Sequence, residues 1–184
     1  MLVIGGMAMH ELDGQQHTIS MGDLFVIPPG HVHSYNVQEN SAVQVLNLLF
    51  DLEALEINPR DLQELPGFHA LFKVGAGTYD EPHLKLGAKE LAFVSSVVDQ
   101  IEMELEEEAP GHQFFCGMKL RELMVFLARR YSHVTAPVGK NFLKLGQLVS
   151  YMEKHLGEEL HFENMVEVAG MSPSSLRRVF SDAF

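Results

Sequence analysis

The sequence predicts an α+β protein: a small antiparallel β-barrel, then a two-helix hairpin, then a C-terminal unit of three helices. Three observations carry this. Gly, Pro, Asp and Asn clusters cut residues 1–50 into short β-prone segments. Apolar residues recur at alternating spacings of three and four from Leu91 to Leu105. The charge is uneven: residues 1–139 hold 8 Lys/Arg against 19 Asp/Glu (−11), whereas 140–184 hold 5 against 6 (−1).

Composition narrows the functions open to the chain. Its 184 residues are 46% hydrophobic and 21% charged, a globular balance. No run approaches the roughly 18 apolar residues of a membrane span, and Val43–Phe50 is interrupted by Gln44 and Asn47. The first residues lack a basic region, so no secretory signal is read and a cytoplasmic location is expected. The single Cys116 excludes an internal disulfide framework and any CxxC zinc or redox motif. A net charge of −12 gives no sequence-independent grip on DNA.

Residues 1–87 are read as the barrel with an irregular extension. Asp13-Gly14 between His10-Glu11-Leu12 and His17-Thr18-Ile19 predicts a tight hairpin. Leu24–Ile27 and Val43–Phe50 are further strand candidates. Pro59, Pro66, Gly67, Gly75, Gly77 and Pro82 break residues 51–87, where Leu65, Phe68, Leu71 and Phe72 predict a short packed turn. Residues 88–132 are the helical hairpin. Leu91, Val94, Val98, Ile101 and Leu105 stripe its first helix; Phe114, Met118, Leu120, Leu123, Leu127 and Tyr131 line its second. Two uses of these stripes stay open, packing on the sheet and pairing with a second copy. Residues 133–141 are expected to be a linker, and 142–184 form the last unit.

In that unit Leu145, Leu148, Val149 and Met152 face inward, as do Phe162, Met165, Val166 and Ala169, then Leu176, Val179 and Phe180. Gly170 suits a turn that needs positive φ. Ser172 is an N-cap and Pro173 a first helical residue. Ser174, Arg177 and Arg178 point outward, as residues of a DNA-reading helix do. The segment resembles the first helix-turn-helix of AraC/XylS-type transcription regulators. The likeness rests on Val149–His155, Met165–Ser172 and Leu176–Phe180, with Val166 where the family usually has Ala. It implies that Ser174, Arg177 and Arg178 contact DNA. It also implies a second helix-turn-helix after Phe184, so the chain is expected to be cut short there.

Gly22-Asp-Leu-Phe-Val-Ile-Pro28-Pro-Gly30-His-Val-His33 resembles the second cupin motif, although Val37 stands where that motif closes on Asn and Asn36 comes one residue early. Alternation puts His31, His33 and Tyr35 on one face, and His33 and Tyr35 are the candidate effector-binding residues. Cupin enzymes hold a metal with a His-x-His and a Glu from a first motif, which has no counterpart here. No metal or cofactor is therefore expected, and the chain is read as a non-enzyme. His10, His17, His69, His83, His112, His133, His155 and His161 show no metal-ligand spacing and are expected at the surface or in loops. The span as a whole resembles the sensor domain of AraC-type sugar regulators, and Leu65–Phe72 resembles the rhamnose-regulator-like group. The resemblance implies a small-molecule effector of the sugar class, a homodimer through residues 88–132, operator DNA as partner, and opening strands before Met1. Two alternatives remain: a cupin-type metal-dependent enzyme, and a sensor and dimerisation protein without DNA binding of its own.

Overall fold

The computed structural model describes residues 1–38, 41–55, 62, 65–72, 84–133 and 137–183, without the side chains of 137–139, 182 and 183. The chain forms two compact units. One comprises Met1–Phe25, Gly30–Ile57 and Tyr79–Phe126; the other comprises Val26–Pro29, Asn58–Thr78 and Leu127–Phe184. Among the described residues no helix is long and apolar enough to cross a membrane.

The first unit is organised by one long strand, β1 (Leu2–Leu12). Its C-terminal half pairs antiparallel with β2 (Gln15–Ser20) and β4 (His33–Asn36). Its N-terminal half pairs antiparallel with β3 (Asp23–Leu24) and β5 (Val43–Leu46), and β6 (Leu84–Lys85) extends the sheet beyond β3. Gly5-Gly6 marks the change of partners. The register with β5 shifts between Val3 and Gly5, as at a β-bulge. Gly6 has φ +73, and a Cβ there would stand 1.9 Å from the Ala42 carbonyl oxygen, so only glycine fits. Described residues thus give a curled antiparallel sheet, and β3 and β5 are shorter than the strands expected over 24–27 and 43–50.

Alternation sets the core. Ala8, Leu12 and Ile19 are buried on one face of the β1–β2 ribbon, with Phe25 against it. The ribbon turns at Asp13-Gly14, both at positive φ, as a two-residue hairpin of this sequence predicts. Asp23 is buried and satisfied: it accepts from the Ser20 amide at 2.7 Å and pairs with the Lys85 ammonium at 2.9 Å.

In the hairpin that follows the sheet, α2 spans Ala88–Glu107 and α3 spans His112–Tyr131. The Glu90 carboxylate accepts from the Gly87 amide at 2.8 Å, which closes the start of α2. Val94, Val97, Val98 and Ile101 are its buried face. Leu105 belongs to the expected stripe, yet it is exposed, along with Met103, Phe114 and Met118.

The second unit holds α1 (Pro66–Phe72), the end of α3, and three consecutive helices: α4 (Pro137–Lys154), α5 (Phe162–Ala169) and α6 (Pro173–Ala183). The packed turn expected near Phe68 is the helix α1. Its Phe68, His69, Ala70 and Leu71 are buried, and it lies against α4 at backbone distance. A Cβ on Gly146 would stand 2.2 Å from the Pro66 carbonyl oxygen. Helix α4 starts at Pro137, so residues 137–141 of the expected linker are helical, and 134–136 lie outside the described residues. Proline is well placed there, because the first helical N–H has no partner to lose.

Leu145, Leu148, Ala169 and Leu176 form the buried centre of α4–α6. Phe142, Val149, Met152, Phe162, Met165, Val166, Val179 and Phe180 pack around them. Burying each leucine contributes about 1.5–3 kcal/mol relative to leaving it in water. Gly170 ends α5 at φ 56. The Ser172 hydroxyl accepts from the Ser175 amide at 3.2 Å and so caps α6.

Candidate functional site

Strand register builds a cluster of imidazoles in the first unit. His10 on β1 lies opposite His17 on β2 and opposite Tyr35 on β4, while Leu12 lies opposite His33. Side chains two apart share a face, so His10, His17, His33 and Tyr35 converge on the face that buries Ala8 and Leu12. His10 is the centre and is fully buried. Its Nδ1 is 3.1 Å from His17 Nε2, and its Nε2 is 3.3 Å from His33 Nδ1.

Aromatic rings complete the walls. Tyr35 stacks on His10 at 5.2 Å between centroids, and Phe25 stands edge-on to His10 at 5.1 Å. Phe25 also stacks on His17 at 5.3 Å. His33 is exposed and Tyr35 is half-buried.

A neutral imidazole has one donor and one acceptor, so His10 can donate to one neighbour and accept from the other. Burial first, then the charges of His17, His33 and the Met1 ammonium, depress the His10 pKa to about 4. His10 is therefore neutral at pH 7. Burial pushes the Tyr35 hydroxyl up, against a hydrogen bond with Asn47. The face offers ring nitrogens, a phenol and apolar ring surfaces, the groups that orient a small polar ligand.

The cluster does not present a metal site. Among the described residues no group of three His, Cys, Asp or Glu is placed to hold a metal ion. The geometry explains this: His10 directs one ring nitrogen at each neighbour, so the three do not converge on a common point.

Alternation puts His33 and Tyr35 on one face, and they meet there with 5.6 Å between ring centroids. Alternation would add His31 to that face, but β4 starts at His33 and His31 lies in the preceding loop. There His31 bonds the Asp13 carboxylate, which also accepts from the Val32 amide at 3.1 Å. Those two bonds, His31 first, hold the Asp13 carboxyl below the usual range.

His10, expected at the surface or in a loop, is the most buried member of the cluster, because β1 pairs on both sides of it. His17 is half-buried beside it on β2. His69, also expected outside, is buried on α1, with Nε2 3.8 Å from the Glu153 carboxylate of α4. His83 lies outside the described residues. The signal that could have found His10 and His17 was their symmetric placement, three residues either side of Asp13-Gly14, which sets them face to face across the hairpin.

In the second unit Ser174, Arg177 and Arg178 are all exposed on α6. The Arg177 guanidinium lies over the Phe162 ring at 4.7 Å from its centroid, a cation–π contact that ties α6 to α5.

The family described as AraC-like ligand binding domain matches residues 1–123. The HTH-type transcriptional activator RhaR of Escherichia coli strain K12 is 27% identical over 180 residues, covering 97% of this chain and 61% of that protein. RhaR of Shigella flexneri gives the same figures, and RhaR of Shigella dysenteriae serotype 1 is 26% identical over the same coverage. The chain thus spans about three-fifths of the length of these relatives. No solved structure matches significantly.

Proposed function

The chain belongs to the AraC-like ligand binding domain family, in the rhamnose-regulator-like group, and from that premise we propose that it is a ligand-responsive, DNA-binding transcription regulator of the cytoplasm. The observation that carries the proposal is the cluster of His17, His33 and Tyr35 around buried His10, within the stretch that this family matches.

A small effector of the sugar class binds against His33 and Tyr35, with His10 and His17 behind them. Residues 1–87 supply the sensing barrel. The hairpin 88–132 joins two copies, and Met103, Leu105, Phe114 and Met118, large apolar side chains left exposed on it, support that reading. Residues 142–184 form a helix-turn-helix, with α6 in the major groove and Ser174, Arg177 and Arg178 toward DNA. The effector shifts the protein between states only by binding one better than the other.

The test uses the protein and the DNA upstream of its own gene in fluorescence anisotropy, with and without candidate sugars. Arg178→Ala is expected to weaken specific binding by about 1–3 kcal/mol with the helical content unchanged. Unchanged affinity removes Arg178 from the reading surface. Sedimentation should give a dimer that Leu105→Glu converts to monomer, and a wild-type monomer refutes the seam.

A further inference from the structure

We propose that Asp13 is a positioning residue of the candidate effector site: its carboxylate ties the β1–β2 turn to the chain entering β4 and so holds His33 against His10. The proposal rests on the sensor reading above and adds to that site a residue that acts through His33.

A turn of this kind needs no carboxylate. Asp13 and Gly14 sit at φ 50 and 81, and glycine or asparagine takes the first of those positions as readily as aspartate. What the carboxylate adds lies outside the turn. Its Oδ1 accepts from the Val32 amide at 3.1 Å, and its Oδ2 bonds His31 Nδ1. The Asp13 amide in turn donates to the Val32 carbonyl at 3.0 Å. The two oxygens thus take different partners on consecutive residues. The bond to His31, then that to the Val32 amide, keeps the carboxyl below its usual range.

Those partners immediately precede His33. Gly30, at φ 93, turns the chain into this stretch, and β4 begins at His33 opposite Leu12. β4 is four residues long, and among the described residues it pairs with β1 alone. A strand this short frays from its end unless something beyond the ladder holds it. Asp13 supplies that hold, because its bonds to His31 and Val32 lie just past the Leu12–His33 pair. His33 Nδ1 is 3.3 Å from His10 Nε2, a contact that a small slip of the strand end breaks. A binding group serves its ligand only while its own backbone and ring are fixed by their surroundings.

The experiment compares two variants. Asp13→Gly keeps the turn and removes both side-chain bonds. Asp13→Asn also tolerates positive φ, and it keeps an acceptor for the Val32 amide and a donor for the His31 ring. The histidine rings are read by long-range proton–nitrogen NMR, with His33→Gln to identify the His33 signals. Far-UV circular dichroism checks that each form is folded. Each form is then titrated with L-rhamnose, L-arabinose and D-galactose by calorimetry.

In Asp13→Gly the His33 and His10 ring signals should move. Affinity for the sugar that the wild type binds should fall roughly tenfold, the upper end of what one misplaced hydrogen bond costs. Asp13→Asn should restore both. Ring signals in Asp13→Gly that match the wild type overturn the proposal, because glycine replaces a residue that serves only the turn without trace. Moved ring signals with sugar affinity unchanged overturn the part Asp13 plays in binding. If no sugar binds the wild type at millimolar concentration, the sugar class falls from the sensor reading, and the ring signals alone decide whether Asp13 holds His33.

Discussion

The sheet of the first unit and the α4–α6 helices of the second place their polar groups in opposite ways. In the first, His10 is buried at the centre of a sheet face and its polar atoms are met by other side chains from neighbouring strands. In the second, Leu145, Leu148, Ala169 and Leu176 are buried, while Ser174, Arg177 and Arg178 are exposed. A site that encloses its ligand must bring polar groups inside and satisfy them there. A site that meets an extended partner can leave the core apolar and keep its chemistry outside. The difference gives the units different sensitivities, to backbone geometry and pH in one and to apolar volume in the other.

The largest expected effect is on the apolar unit. Leu148→Ala should cost about 2–5 kcal/mol, read from urea unfolding followed at 222 nm by circular dichroism. A cost below that range would mean that α4–α6 close over the lost volume. Gly6→Val tests the sheet: the positive φ and the contact with Ala42 should cost about 3 kcal/mol while the α4–α6 signal persists. Loss of both signals together would mean that the two units fold as one.

Next comes pH. His10 takes its proton at about 4 in the folded chain and at about 6.5 when unfolded. Between those values the unfolded chain binds the proton and the folded chain does not. The stability contributed by neutral His10 is therefore complete above about pH 6.5 and is lost progressively as pH falls toward 4. Denaturant midpoints measured across that window should slope downward with acid, and His10→Leu should flatten the slope. A slope unchanged in the variant assigns the effect to other groups.

Ser172→Ala should cost about 1 kcal/mol by removing the α6 cap. The smallest effect is Phe162→Leu, about 0.5–1 kcal/mol through the lost Arg177 contact. Its thermal midpoint should respond less than that of Ser172→Ala.

The same contrast explains what was legible in the residues. The helical unit declares itself locally. Its inward residues are three or four apart, Gly170 and Ser172 punctuate it, and the buried set matches those spacings almost residue for residue. Asp13-Gly14 was equally local. The imidazole cluster was not, because His33 reaches His10 only through the β1–β4 register, which joins residues 23 positions apart. No short-range pattern encodes that pairing. Single histidines on strands therefore read as surface residues when one of them was core. Leu105 failed in the other direction. Its spacing puts it on the apolar stripe, but it falls in the last turn of α2, beyond the buried Ile101. Helix α1 was underestimated because Pro66 and Gly67 signal a break. Pro66 is instead the first helical residue, and Gly67 lies where a Cβ would stand 2.0 Å from the Ala128 carbonyl oxygen.

The docking of α1 on α4 also bears on how the chain is made. The ribosome releases α1 early, and both α2 and α3 must emerge before α4 exists to cover it. Through that interval Phe68 and Leu71, buried in the finished protein, have no lasting shelter. Contacts between segments so distant in sequence form late, after the entropy of closing a long loop has been lost. The nascent chain is most prone to aggregate during that wait, and slower synthesis between α1 and α4 would lengthen it.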